Sequence, residues 1–159
     1  MHSNRYTLIY AAAISVITAV ILAATSEGLK PAQEANVALD KKSNILRSVR
    51  ITSTDRATIT NTYNANVQEL VLNSAGEVLP NVKTESVRLK DQINKPPEAR
   101  QLPLYIFTGD AGAKYYIIPV RGVGLWGPIW GYIALESDFN TVYGAFFDHK
   151  GETPGLGAE

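Results

Sequence analysis

Residues 122–159 run GVGLWGPIWGYIALESDFNTVYGAFFDHKGETPGLGAE, and the middle of this stretch decides the fold. Tyr132, Ile133, Ala134 and Leu135 supply one strand over residues 131–136. Val142, Tyr143, Phe146 and Phe147 supply a second over residues 141–148. Ser137-Asp138-Phe139-Asn140 between them has the composition of a turn. A hairpin here delivers His149 and the loop Glu152-Thr153-Pro154-Gly155-Leu156-Gly157 to the end or edge of a sheet.

Upstream, residues 122–130 are expected to form a loop. Gly122, Gly124 and Gly127 make its backbone permissive, and Leu125, Trp126, Ile129 and Trp130 give it apolar bulk. The three glycines spell GxGxxG, but Trp126-Gly127-Pro128 cannot open the helix that a dinucleotide fold requires. A strand connection whose tryptophans cap the core is the plain reading. The functional one is a wall for a flat aromatic ligand. Further back, strands are expected over 104–108 and 115–120, with a turn at 109–113. Residues 69–72 and 78–79 flank Asn73-Ser74-Ala75-Gly76 and suggest a hairpin or a tight turn. Residues 91–103 carry Pro96, Pro97 and Pro103 and are expected to be a connector. The Thr- and Asn-rich stretch 52–66 suggests a loop with a short helix.

The N-terminal end has a different character. Residues 6–26, YTLIYAAAISVITAVILAATS, carry no charge. Spanning a bilayer core takes roughly 20 helical residues, each rising about 1.5 Å. Arg5 on the near flank sets the N-terminus in the cytoplasm by the positive-inside bias. A cleaved signal peptide, cut after Ala24, is the rival reading, but its apolar region usually runs only about 7–15 residues. Tyr6 and Tyr10 suit an interfacial belt, and the small residues Ala11, Ala12, Ala13 and Ser15 suit packing against neighbouring helices. After the span, residues 29–49 read as an amphipathic helix with Pro31 in its first turn. Ala35, Ala38, Leu39, Ile45, Leu46 and Val49 recur on one face.

Composition narrows the function. Fifteen basic and fifteen acidic residues balance, which leaves no electrostatic footprint for nucleic acid. The absence of cysteine excludes disulfides, thiolate metal sites and lipid attachment through cysteine. His149, Asp148 and Glu152 are too few to make a metal centre, and no nucleophile elbow supports a hydrolase. Taken alone, the loop at 152–157 is a structural turn. Its Glu152 and Thr153 can also bond a polar ring edge, while Leu156 offers an apolar contact.

Gly-Glu-Thr-Pro-Gly-Leu-Gly, residues 151–157, following a phenylalanine-rich strand resembles the flavin-binding domain of the C subunit of the sodium-translocating NADH:quinone reductase. The G subunit of the related Rnf complex shares that domain. Leu29-Lys30-Pro31, Gln33, Asn36, Asp40, Lys41 and Asn44-Ile45-Leu46 resemble the post-membrane helix of the reductase subunit. Residues 118–126, IPVRGVGLW, resemble its Trp-containing loop. Together with the span, the likeness covers most of the chain, with residues 52–101 matching only loosely.

The resemblance implies an α+β fold. A single transmembrane helix at 6–26 follows a cytoplasmic N-terminus at 1–5, and a connecting helix at 27–50 leads into a periplasmic FMN-binding domain. Residues 51–159 would form the N-terminal part of that domain, an antiparallel sheet with helices. By matching position, Glu152, Thr153 and Leu156 line the flavin, Gly155 allows close approach, and Trp126 and Leu125 are neighbours. The chemistry implied is electron transfer from NADH towards quinone coupled to sodium export. It belongs to a bacterial inner-membrane complex whose other subunits are the partners and include the one that handles NADH. In the family the FMN is tied by a phosphoester to the threonine of a Ser/Thr-Gly-Ala-Thr sequence downstream of this loop. No such sequence occurs here, so the attachment threonine is expected beyond Glu159 and the domain is expected to be C-terminally incomplete. Without closing strands, an unpaired sheet edge is expected near 141–147. The alternative is a flavin-free, membrane-anchored assembly subunit of such a complex; an unrelated secreted binding domain is a third reading.

Overall fold

The computed structural model describes residues 4–125, 127–149 and 151. The chain divides into two compact units, Met1–Ala38 and Leu39–Glu159. Helix α1, Asn4–Ser48, contributes residues to both and contains Pro31 in its interior. The expected helix start at residue 29, with Pro31 in the first turn, is therefore corrected. An interior proline removes one hydrogen bond and costs about 3 kcal/mol. Here it meets a helix already nucleated upstream, where the remaining cost is local.

Within the first unit, the apolar side chains of α1 are exposed, including Leu8, Ile9, Ile17, Ile21 and Leu22. The helix is long enough to cross a membrane, and its most apolar window has a mean hydropathy of 2.3. Its hydroxyls bond inward: Thr18 Oγ1 donates to the Ile14 carbonyl at 2.8 Å, and Thr25 Oγ1 to the Ile21 carbonyl. Both groups are thus satisfied without solvent, as an apolar medium demands.

The second unit begins with the last turns of α1, where Ile45, Leu46 and Val49 are buried. The helix closes in a Schellman arrangement, with Arg50 N donating to the Arg47 carbonyl at 2.9 Å and Ile51 N to the Leu46 carbonyl at 3.0 Å. Arg50 takes the left-handed conformation usually left to glycine, at φ 65°. Its guanidinium lies 4.7 Å from the centre of the Tyr143 ring, a cation–π contact that offsets the strain. Helix α2, Arg56–Asn66, is the short helix expected within 52–66, here of 11 residues. Asp55 caps it, accepting from Thr58 N at 2.8 Å and Thr58 Oγ1 at 2.6 Å. Those bonds hold the Asp55 carboxyl below its ordinary pKa.

Among the described residues, five strands follow: β1 Val67–Leu72, β2 Leu102–Thr108, β3 Lys114–Val123, β4 Pro128–Leu135 and β5 Val142–His149. They form one antiparallel sheet in the order β1-β2-β3-β4-β5. The α+β architecture with a leading apolar helix thus matches the expectation.

The turn at 73–76 forms, with Asn73 Oδ1 accepting from Ala75 N and Glu77 N. An antiparallel Leu72↔Val78 bridge and bonds from Asn73 N to the Glu77 carbonyl and from Leu79 N to the Val71 carbonyl flank it, while the strand partner of β1 is β2. Two local expectations are corrected. The connector expected at 91–103 instead holds a 3₁₀ turn, Pro97–Ala99, and the start of β2, and it overlaps helix α3, Leu89–Ile93. Pro103 is tolerated inside β2 because β3 pairs with β2 only from Tyr105 to Thr108, which leaves one side of the strand open at Pro103. Pro119 in β3 sits likewise outside the stretch that pairs with β2. The loop expected at 122–130 shrinks to residues 124–127, since Gly122, Ile129 and Trp130 lie in paired strands.

The hairpin of β4 and β5 is as expected. Asp138 Oδ1 accepts from Asn140 N and Thr141 N at 3.0 and 2.9 Å, and Oδ2 accepts from Thr141 Oγ1 at 2.5 Å. These bonds hold the Asp138 carboxyl at a pKa of about 2.

One face of the sheet forms the core. Tyr105, Phe107, Ile117 and Ala134 pack against Ile45, Leu46 and Val49 of α1 and its exit and Ile59 and Tyr63 of α2. Gly144 permits the close approach of α1 to β5, since a Cβ there would lie 2.4 Å from the Ser48 carbonyl oxygen. Tyr63 donates to Glu69 Oε1 at 2.7 Å, and Thr84 Oγ1 donates to Glu69 Oε2. Burial, and then the Glu69 carboxylate, push the Tyr63 phenol upward in pKa. The register turns Ile118, Ile129 and Phe147 to the other face, where all three remain exposed.

Candidate functional site: the cleft between the β3–β4 turn and the end of β5

The β3–β4 turn closes with a 2.7 Å bond from Gly124 N to the Gly127 carbonyl. It joins two strands, so the GxGxxG spacing carries no phosphate loop. The β4–β5 register pairs Ile129 with His149, which brings the exit of β5 beside this turn. Between them lies a cleft of about 150 Å³ lined by Gly124, Leu125, Pro128, Ile129, His149 and Gly151.

Each of these side chains has a local reason for its place. Gly124 is where the Ile129 side chain folds back over the turn: a Cβ at 124 would lie 2.5 Å from Ile129 Cδ1. Leu125 stands at the rim, 90 % exposed. Pro128 opens β4, a strand position where its missing N–H is tolerated. The wall is thus aliphatic, with glycine at the approaches. Such a surface suits the face or edge of a flat apolar ring, provided that polar groups at the mouth fix its orientation. Gly151, the residue that precedes the 152–157 segment in the chain, belongs to this lining.

Of the six residues expected to line a ligand, the structure describes Leu125, and it is in the cleft. Trp126, Glu152, Thr153, Gly155 and Leu156 lie outside the described residues. Ile129, part of the loop read as a possible ligand wall, and His149, delivered to the sheet end by the hairpin, are both in the cleft, and Pro128 joins them without having been singled out. Ile129 and His149 are 20 positions apart and meet only through the β4–β5 register, which no local pattern displays.

A larger hollow, about 440 Å³, lies at the opposite end of the sheet between Asn66, Phe107, Thr108, Asp110, Tyr115 and Tyr143. Tyr115 and Tyr143 pack there with ring centres 4.1 Å apart. Among these six, only Tyr143 falls within the family match described next.

Residues 124–159 match the family model of the FMN-binding domain. The C subunit of the Na⁺-translocating NADH-quinone reductase of Neisseria meningitidis serogroup A is 32 % identical over 170 residues, covering 96 % of this chain and 66 % of that protein. Its namesake from Pseudomonas aeruginosa is 30 % identical over 176 residues, covering 99 % of this chain and 67 % of that one. The crystal structure of the namesake from Parabacteroides distasonis has a TM-score of 0.70 and 37 % identity, covering 82 % of this chain and 62 % of that chain. The chain thus spans about two thirds of the length of the curated relatives it matches. The family match begins at Gly124, the first residue of the cleft.

Proposed function

Because the chain belongs to the C-subunit family of the Na⁺-translocating NADH-quinone reductases, we propose that it is the flavin-carrying electron-transfer subunit of such a complex. Electron flow from NADH to quinone through this subunit would be coupled to sodium export. One observation supports the reading most directly. The cleft of Leu125, Pro128, Ile129 and Gly151 lies at the start of the segment that matches the FMN-binding domain.

FMN, when bound, supplies reversible uptake and release of electrons. This chain's own residues would hold and shield it. Leu125, Pro128 and Ile129 would exclude water from one side of the ring, and Trp126 would add an aromatic neighbour. Glu152 and Thr153 would bond the polar ring edge, Leu156 would contact the ring, and Gly155 would let the backbone come close. The aliphatic lining with glycine approaches fits a flat ring system. A phosphoester to a threonine would call for a Ser/Thr-Gly-Ala-Thr sequence, which does not occur among these 159 residues.

Residues 6–26 would cross the bacterial inner membrane, with residues 1–5 cytoplasmic, 27–50 connecting, and the domain at 51–159 periplasmic. The uncharged run and Arg5 on its flank support that orientation. Other subunits of the complex would pack on the span and handle NADH.

The complex purified from membranes and resolved on a denaturing gel tests the reading. The gene product that contains this chain should carry an ultraviolet-fluorescent, acid-stable flavin band. A complex with full flavin content but none on this polypeptide would instead make the chain a flavin-free assembly subunit.

A further inference from the structure

We propose that Phe147 is a ring-contacting residue of the flavin cleft, carried there by its cross-strand pair with Gly131. The inference rests on the flavin reading above and extends it to a side chain that neither the loop at 124–127 nor the loop at 152–157 contains. In the β4–β5 register Phe147 faces Gly131, and the next pair on the same face is Ile129 with His149, which lines the cleft. Two residues of strand separate the pairs, about 7 Å along the sheet. Three fused rings seated against Ile129 would cover that distance.

Glycine at 131 is what allows the arrangement. A Cβ there would meet the Phe147 ring carbons Cδ1 and Cε1 at 2.6 and 3.1 Å, and the Phe146 carbonyl oxygen at 2.4 Å. The Phe147 ring therefore lies across the Gly131 backbone instead of standing away from the sheet. It remains 57 % exposed, which leaves part of the residue open to contact. Glycine inside a strand costs stability and marks a close approach of another group; here the group is this ring. Volume argues in the same direction. At about 150 Å³ the cleft falls short of the roughly 300 Å³ at the lower end of small-molecule sites, so the ring system needs wall beyond the cleft's own lining. Phe147 supplies that wall on the same face of the sheet and lies within the FMN-binding match.

Flavin contact and simple shielding of a glycine make different predictions. Offset aromatic packing requires a ring, whereas shielding requires only apolar bulk. FMN is titrated into the full chain in detergent, with flavin emission and visible circular dichroism as the readouts. Urea unfolding is followed alongside. Phe147→Leu should bind FMN roughly five- to tenfold more weakly than the parent, with an altered visible dichroism and a nearly unchanged urea midpoint. Phe147→Tyr should stay within about twofold of the parent. Should Phe147→Leu lose its fold, Phe147→Met takes its place with the same expectation. Unchanged FMN affinity and dichroism in the leucine or methionine variant would overturn the proposal while leaving the flavin site standing. A parent chain that binds no FMN at all would overturn the site and the proposal together.

Discussion

Tyr105, Ile117 and Ala134 on one face of the sheet and Ile118, Ile129 and Phe147 on the other are similarly apolar, yet the first set is buried and the second is exposed. The difference lies in what reaches each face. The last turns of α1 and the helix α2 close over the first with Ile45, Leu46, Ile59 and Tyr63. The second runs up to the cleft through Ile129. Stability therefore belongs to one face, and the other carries apolar surface available for contact. A sheet read only by its alternation cannot be assigned such a division, because both faces alternate with equally apolar residues.

Substitutions on the two faces should separate these roles. Ile45→Ala removes a fully buried side chain from beneath the sheet and should lower unfolding stability by about 2–5 kcal/mol in urea titrations in detergent. A loss below about 1 kcal/mol would mean that the helix-covered face is not the stabilising one. Leu125→Ser at the cleft rim should leave that stability within about 0.5 kcal/mol, yet weaken FMN binding several-fold, as flavin titration would read. Equal losses of stability and binding would dissolve the contrast.

Asp138 tests the turn that joins β4 to β5. Its folded pKa, about 2, lies below the ordinary value of 3.8. Its contribution is therefore complete above about pH 4 and is lost as pH falls through about 2. Asp138→Asn should flatten that part of the acid-unfolding curve; an unchanged curve would show that the hydrogen-bonded turn does not depend on the carboxylate. Smallest of all, Ile118→Ser on the exposed face should shift stability by no more than about 0.5 kcal/mol. A loss comparable to that of Ile45→Ala would mean that this face is covered after all.

Much of this architecture could be read from residue pattern alone. The β4–β5 hairpin followed from alternation around Ser137-Asp138-Phe139-Asn140, and the apolar N-terminal helix from an uncharged run. The misreadings share a cause. Pro31 and Pro103 signal a break locally, but an upstream helix nucleus absorbs the first and a one-sided strand accommodates the second. The partner of β1 is β2, 30 and more residues away, a pairing that no local pattern displays. Leu125 was legible at the cleft because it sits in a glycine-rich turn. The meeting of Ile129 with His149 was not, because only register joins them. Gly131 looked like an ordinary strand residue until the position of the Phe147 ring gave it a reason.

The strand order has a consequence for how the molecule comes into being. Every strand pairs with the strand just before it in the chain, and the helical layer is encoded ahead of them all. Apart from β1, which waits for β2 across a long excursion, each closure spans a short loop. A chain emerging from its N-terminal end can therefore assemble these strands in the order of their synthesis, with the segment that matches the FMN-binding domain following β3.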